Sequence, residues 1–199
     1  MKKFLMVLLT AVLVVSFAAC GGNGTSGSGN TEAPDTSDSA SIESALVLLN
    51  TVWNSYSEDE KFYACGGDLS EEHITENAPG IYSIDDAETV DRMLGIPASS
   101  VALLDDAASL SHMLNANTFT CAAVHVKNAA DVTALIQAAR ENIMQRHWMC
   151  GAPEKLVIIT VGDYVVSFFG HEVFVDTFQT KLLSAYASAK TVCEESLMK

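Results

Sequence analysis

The sequence predicts an α+β domain: an antiparallel sheet of about four strands covered by helices, with a helical segment, a tether and a leader ahead of it. Three observations predict it. An apolar stretch ends at a cysteine, residue 20. A run without large apolar side chains follows it. Beyond residue 41, stretches of helical and of strand period alternate, and the second half of the chain reads β–β–α–β–β–α.

The leader comes first. Met1-Lys2-Lys3 is basic, and residues 4–19 are apolar apart from Thr10 and Ser16. This run falls short of the roughly 20 residues of a membrane-spanning helix and fits the apolar core of a signal peptide. Phe17-Ala18-Ala19-Cys20 resembles the lipobox of bacterial lipoproteins, with Phe17 in a slot usually held by Leu. The resemblance implies cleavage after residue 19 and a diacyl- or triacylglyceryl group on the Cys20 sulfur. Acyl chains bind a membrane by burial, at about 0.8 kcal/mol per CH₂. The expected location is the outer side of the cell membrane.

Residues 20–40 are dominated by Gly, Ser, Thr, Asn and Asp after the cysteine. Such a segment buries too little to offset its ordering entropy, so it reads as a flexible tether. Twenty residues of this kind reach about 25 Å. Residues 41–199 are then the folded domain.

Within the domain, Ile42, Ala45, Leu46, Leu49, Val52, Trp53 and Tyr56 recur at helical spacing, with Ser39 or Ser41 as the cap. Ser57-Glu58-Asp59-Glu60 has the form of a capping box and predicts a short helix stopping near Gly66-Gly67. Residues 68–82 read as loop. Residues 85–94 predict an acidic helix with Val90, Met93 and Leu94 inward, ended by Gly95 and Pro97. Residues 99–104 and 118–127 read as strands. Asn128 to Asp131 lead into a helix that continues to about Trp148, with Val132, Leu135, Ile136, Ala139, Ile143 and Met144 as its stripe. Residues 156–161 and 164–169 form a hairpin across Gly162-Asp163, a pair that suits a type II′ turn. The last helix runs from His171 to Ala189, with Val173, Phe174, Phe178, Leu182, Leu183 and Tyr186 on one face.

The strand at 118–132 (TFTCAAVHVKNAADV), the helix at 134–143 (ALIQAARENI) and the hairpin at 155–169 (KLVIITVGDYVVSFF) carry a family likeness. Residues 80–189 resemble the domain-of-unknown-function family 4358, found in lipoproteins of Gram-positive gut bacteria. The resemblance implies a fold and a location. It carries over no catalytic residue.

Composition narrows the function. The chain has 199 residues, 49% hydrophobic and 18% charged, which excludes collagen-like, coiled-coil and wholly disordered classes. Twenty-five Asp and Glu oppose eleven Lys and Arg, for a formal charge of −14. Phosphate binding needs a basic surface, so nucleic acid is not an expected partner. Four cysteines lie beyond the tether: Cys65, Cys121, Cys150 and Cys193. Outside the cell an even number invites disulfides, and four allow three pairings. Cys121 with His125 on a strand and His147 with Cys150 on a helix are the residue types of a zinc set, but their spacing matches no finger pattern. Residues 58–106 hold thirteen acidic residues against Lys61 and Arg92; Asp59, Glu60, Glu71 and Glu72 read as a solvated face. Trp53, Phe62, Tyr63 and Tyr82 are candidates for lining a groove. Phosphate-loop, dinucleotide and nucleophile-elbow patterns are absent from the sequence. No metal or cofactor is expected. The expected function is a membrane-tethered binding module for an envelope protein, a peptide or a small ligand. The alternative is a surface hydrolase using Cys and His or carboxylates.

Overall fold

The computed structural model describes residues 42–149 and 151–198, so the leader, Cys20, the whole tether and Cys150 lie outside the described residues. The described part is α+β, built on an open antiparallel sheet of eight strands. The sheet is therefore twice the expected size. Its order is β2 (Thr75–Glu76), β1 (Ala64–Gly66), β4 (Leu104–His112), β5 (Phe119–Val126), β7 (Tyr164–Gly170), β6 (Lys155–Val161) and β8 (Lys190–Ser196), with β3 (Gly80–Ile81) also pairing with β4.

The three central strands form because their residues are apolar on both sides. β7 is buried along its whole length and β5 nearly so. Such strands need a layer on each face. Helices α1 (Ala45–Trp53) and α4 (Glu172–Ala185) cover one face, over Phe119, Cys121, Val157, Ile159, Val166 and Phe168. Helices α2 (Ala87–Leu94) and α3 (Val132–Met144) cover the other, over Ala122, Val124, Leu156, Ile158 and Val165. Successive side chains of a strand point to opposite faces, so the two sets interleave along each strand.

Several local expectations are corrected. The cap of α1 is Ser44, whose Oγ accepts the Val47 N–H at 3.1 Å, and the Ala45 N–H donates to Asp106 Oδ2 at 2.6 Å. The capping box at Ser57 forms by half: the Ser57 N–H donates to Glu60 Oε2, but Ser57 Oγ donates there too and the Glu60 N–H goes to the Ser57 carbonyl. It builds only one turn, because Phe62 is drawn between Trp53, Phe119 and Phe174 and the chain then enters β1. Residues 98–103 form a 3-10 turn in place of a strand, and the strand begins at Leu104. The segment 68–82 contributes β2 and β3. Helix α3 ends at Met144; beyond it Trp148 packs on the Phe169 ring at 5.1 Å. On α4 the inward face is Val175, Phe178 and Leu182, while Val173 and Leu183 are exposed. After α4 the chain adds β8 along β6.

Other expectations hold in detail. Asp86 caps α2 by accepting the Thr89 N–H, and Gly95 ends it at φ 81. The β6–β7 turn has Gly162 at φ 61 without a matching positive φ at Asp163, as a type II′ turn requires.

The two ends of the sheet differ. At one end the chain enters the fold: Tyr164 Oη donates to the Ile42 carbonyl at 3.5 Å, and His125 pairs with Tyr164 across β5 and β7. At the other end lie the β4–β5 turn and β1. Six strand residues, about 20 Å, separate the two.

Candidate functional site

A partly open cavity of about 160 Å³ lies under α2. Its floor is the sheet: Cys65 of β1 and Ser109 and Ser111 of β4, which share a face because Cys65 pairs with Ser111. Its roof is the C-terminal turn of α2, Met93 and Leu94, with Tyr82 beside them. Its rim is Leu69 and Met113, which are 53% and 43% exposed.

Each wall has a physical cause. The roof is clamped through Asp91 of α2, whose carboxylate accepts from the Ala98 N–H at 3.1 Å and from Asn142 Nδ2 at 2.9 Å. The Arg146 guanidinium donates to the Asp91 and Arg92 carbonyls, and so ties α2 to the end of α3. The rim is shaped by glycines. Gly66 and Gly67 run against the Pro79-Gly80 backbone and the His73 carbonyl so closely that no Cβ fits. This contact throws the chain into Leu69 at φ 65, a left-handed conformation that costs a leucine about 1–2 kcal/mol.

Asp68 fastens the rim to the Tyr82 wall. Its Oδ2 lies 2.8 Å from His73 Nδ1 and accepts the Ser83 N–H at 3.2 Å, while Oδ1 accepts the Ser70 N–H at 3.0 Å. Burial raises the Asp68 carboxyl, but these bonds outweigh it and hold the group well below the usual carboxylate range. The Asp68 bond in turn raises the His73 imidazole.

The polar groups of the cavity are unequally used. Ser109 Oγ accepts the Gly67 N–H at 3.0 Å and donates to the Gly67 carbonyl at 3.1 Å. Ser111 Oγ donates to Thr120 Oγ1 at 3.4 Å. The Tyr82 hydroxyl is buried and has no hydrogen-bond partner, with the residue 4% exposed. Burial first, and then Asp68 and Asp86 against Arg92, push its pKa up to about 12. A buried hydroxyl without a partner is destabilising by about 1–3 kcal/mol.

No family model matches this chain, and no curated protein or solved structure does either. The site therefore stands on its own geometry.

The sequence-derived candidates scatter. Cys65, Cys121 and Cys193 are free thiols. Cys65 faces the cavity and Cys121 the α1/α4 layer, on opposite sides of the sheet, and Cys193 is on β8 at the far edge. None of these three pairs with another. Burial raises all three thiols, Cys193 to about 11, which opposes nucleophilic use. Cys121 and His125 do share a face, but Cys121 is fully buried and His125 Nδ1 is held 2.6 Å from Asp105. His147 is exposed beyond α3. Among the described residues no cluster of His, Cys, Asp and Glu is arranged to hold a metal. Asp59, Glu71 and Glu72 are exposed; Glu60 instead accepts from Lys181 at 2.8 Å, chiefly through which its carboxyl is lowered to about 2.

Of the aromatic candidates, Tyr82 reaches the cavity. Trp53, Phe62 and Tyr63 line a separate, open depression. His112, at the cavity edge, turns its ring away onto Phe62, stacked at 5.6 Å, and towards Phe174. Burial, and then His171, lower its pKa. Sequence reasoning missed Cys65, Met93, Met113 and Ser109 as parts of one site, because four separate stretches of chain build it.

Proposed function

We propose that this chain is a protein lipid-anchored in the cell membrane and facing the outside of the cell, whose folded domain is a binding module for a small apolar group. The single observation that carries the binding reading is the partly open cavity of about 160 Å³ lined by Leu69, Met93, Leu94 and Met113. An apolar cavity with a few convergent polar groups is the usual form of a small-molecule site. The resemblance of Phe17-Ala18-Ala19-Cys20 to a lipobox supports the location. Among the described residues no helix is long and apolar enough to cross a membrane.

Two measurements test the reading. A library of apolar fragments added to the methyl-labelled protein is expected to shift the Met93 and Met113 methyl resonances together. A library that leaves both methyls unmoved overturns the binding reading. For the anchor, intact mass of the mature protein is expected to include acyl chains, and Cys20→Ala is expected to release the protein from membranes. Unchanged sedimentation with membranes overturns it.

A further inference from the structure

We infer that the occupant of the cavity under α2 is a small organic cation: an apolar body in the cavity, joined by a short chain to an ammonium group that pairs with Glu76. The inference rests on the binding reading above and names the ligand class for the same site.

Strand register places the carboxylate. Cys65 of β1 lines the cavity and stands directly between Ser111 of β4 and Glu76 of β2. Residues directly opposite in an antiparallel pair share a face of the sheet, with Cβ atoms about 5 Å apart. Glu76 therefore lies on the floor side, one strand beyond the lining. β2 ends the sheet on that side, and Glu76 is exposed.

Glu76 is also uncommitted. Other carboxylates of the chain are closed by cations, as Lys181 closes Glu60 and Arg140 closes Glu195. Asp68, next to the rim residue Leu69, spends its oxygens on Ser70, Ser83 and His73. The Glu76 carboxylate has no hydrogen bond or ion pair among the described residues.

The surroundings supply no competing cation. His112 turns its ring onto Phe62. Arg92 adjoins Met93 on α2, but it donates back to Thr89 Oγ1 at 3.3 Å and is not part of the lining. A formal charge of −14 adds a general attraction for cations. An anion meets repulsion here, and a neutral ligand leaves Glu76 unused. A calcium ion takes roughly six to eight oxygens, which one carboxylate beside Leu69, Met93 and Met113 does not provide. Hydrocarbon suits the cavity and an ammonium suits its edge.

A free amine fits better than a peptide. A peptide backbone brings amide groups that need partners. The two serine hydroxyls of the lining are already spent, Ser109 on Gly67 and Ser111 on Thr120.

The full chain is titrated at low salt with hexylammonium, hexanol, hexanoate and N-acetyl-Leu-Lys-amide. Binding is read from the Met93 and Met113 methyl resonances. We expect hexylammonium to bind roughly two- to fivefold tighter than hexanol, the range of an exposed ion pair. Hexanoate should bind weakest, and added salt should shrink the advantage of the amine. Glu76→Gln keeps the strand backbone, with folding checked by the urea midpoint. It should bring hexylammonium to the level of hexanol and leave hexanol unchanged. Glu43→Gln removes the same charge from an exposed position ahead of α1 and should leave the advantage intact. Equal affinity for hexylammonium and hexanol, or an advantage that survives Glu76→Gln, overturns the cationic class, while methyl shifts with hexanol uphold the binding reading. The dipeptide binding no tighter than hexylammonium supports the free amine; binding at least tenfold tighter overturns it in favour of a peptide. Unmoved methyls with all four overturn the ligand class and the binding reading together.

Discussion

Gly66 and Gly80 pack backbone against backbone: a Cβ on Gly66 would lie 2.1 Å from the Gly80 amide nitrogen, and a Cβ on Gly80 would lie 2.6 Å from the Gly66 carbonyl carbon. Neither chain has a flexible side chain to move aside. Gly66→Ala is therefore expected to be destabilising by about 3 kcal/mol, as overpacking against rigid neighbours is. Urea unfolding checks it: the midpoint should fall while the slope is unchanged. A wild-type midpoint would show that the contact relaxes freely.

The Asp68–His73 pair gives the rim of the cavity a pH dependence. His73 has a raised pKa in the folded chain, so the fold binds that proton more tightly than the unfolded chain does. Its contribution is present in full below about pH 6.5 and is lost as pH rises through the raised value. Asp68 is depressed, so its contribution is present above about pH 4 and is lost as pH falls further. Hydrogen exchange at the Ser70 and Ser83 amides, corrected for intrinsic rate, should show greatest protection between those limits. Asp68→Ala should abolish the protection at both amides.

Gly95 ends α2 against Ile143 of α3. A Cβ there would meet Ile143 Cγ1 at 2.6 Å, and the backbone sits at φ 81. Gly95→Ala is expected to cost about 2–3 kcal/mol from strain and overpacking together. The steric part should be recovered by Ile143→Ala, which removes Cγ1 and Cδ1, and the conformational part should not. A double-mutant cycle by thermal unfolding measures the coupling.

Ser167 lies in the middle of β7, buried, with its Oγ unpartnered between Ala122 and Ile158. Ser167→Ala removes a desolvated hydroxyl and leaves little space behind. It is expected to raise stability by about 1 kcal/mol. Loss of stability in the urea midpoint would show that the hydroxyl is bonded in solution.

The thiols should separate by access. Cys65 is half-buried at the cavity, whereas Cys121 is fully buried and its pKa is raised well above that of an ordinary thiol. Iodoacetamide at pH 8 is expected to modify Cys65 in the native protein and Cys121 only after unfolding, as read by peptide mass spectrometry. Equal rates at the two would contradict the packing around Cys121.

The parts of the fold that were legible in the sequence are those where one physical signal dominates. Residues 119–126 and 155–170 are dense in β-branched and aromatic side chains, and Gly162 marks their turn. Asp86 and Gly95 bracket α2 with capping chemistry that acts locally. β4 was hidden because LDDAASLSH is rich in Ala and Ser and acquires its strand from the partners on either side. β8, KTVCEES, is an edge strand mostly exposed to water, so it has no apolar alternation to read. The cavity was illegible for another reason. Cys65, Tyr82, Met93, Ser109 and Met113 each look like ordinary core residues, and only the long-range pairing of β1 with β4 and the docking of α2 set them around one space.

The entry of the chain at Ile42, on the α1/α4 face of the sheet and opposite the face that floors the cavity, has a practical corollary. A tag, a fluorophore or a sensor surface joined ahead of residue 42 should leave the binding end unobstructed, so the domain can be immobilised by its front and still sample the solution with its far rim.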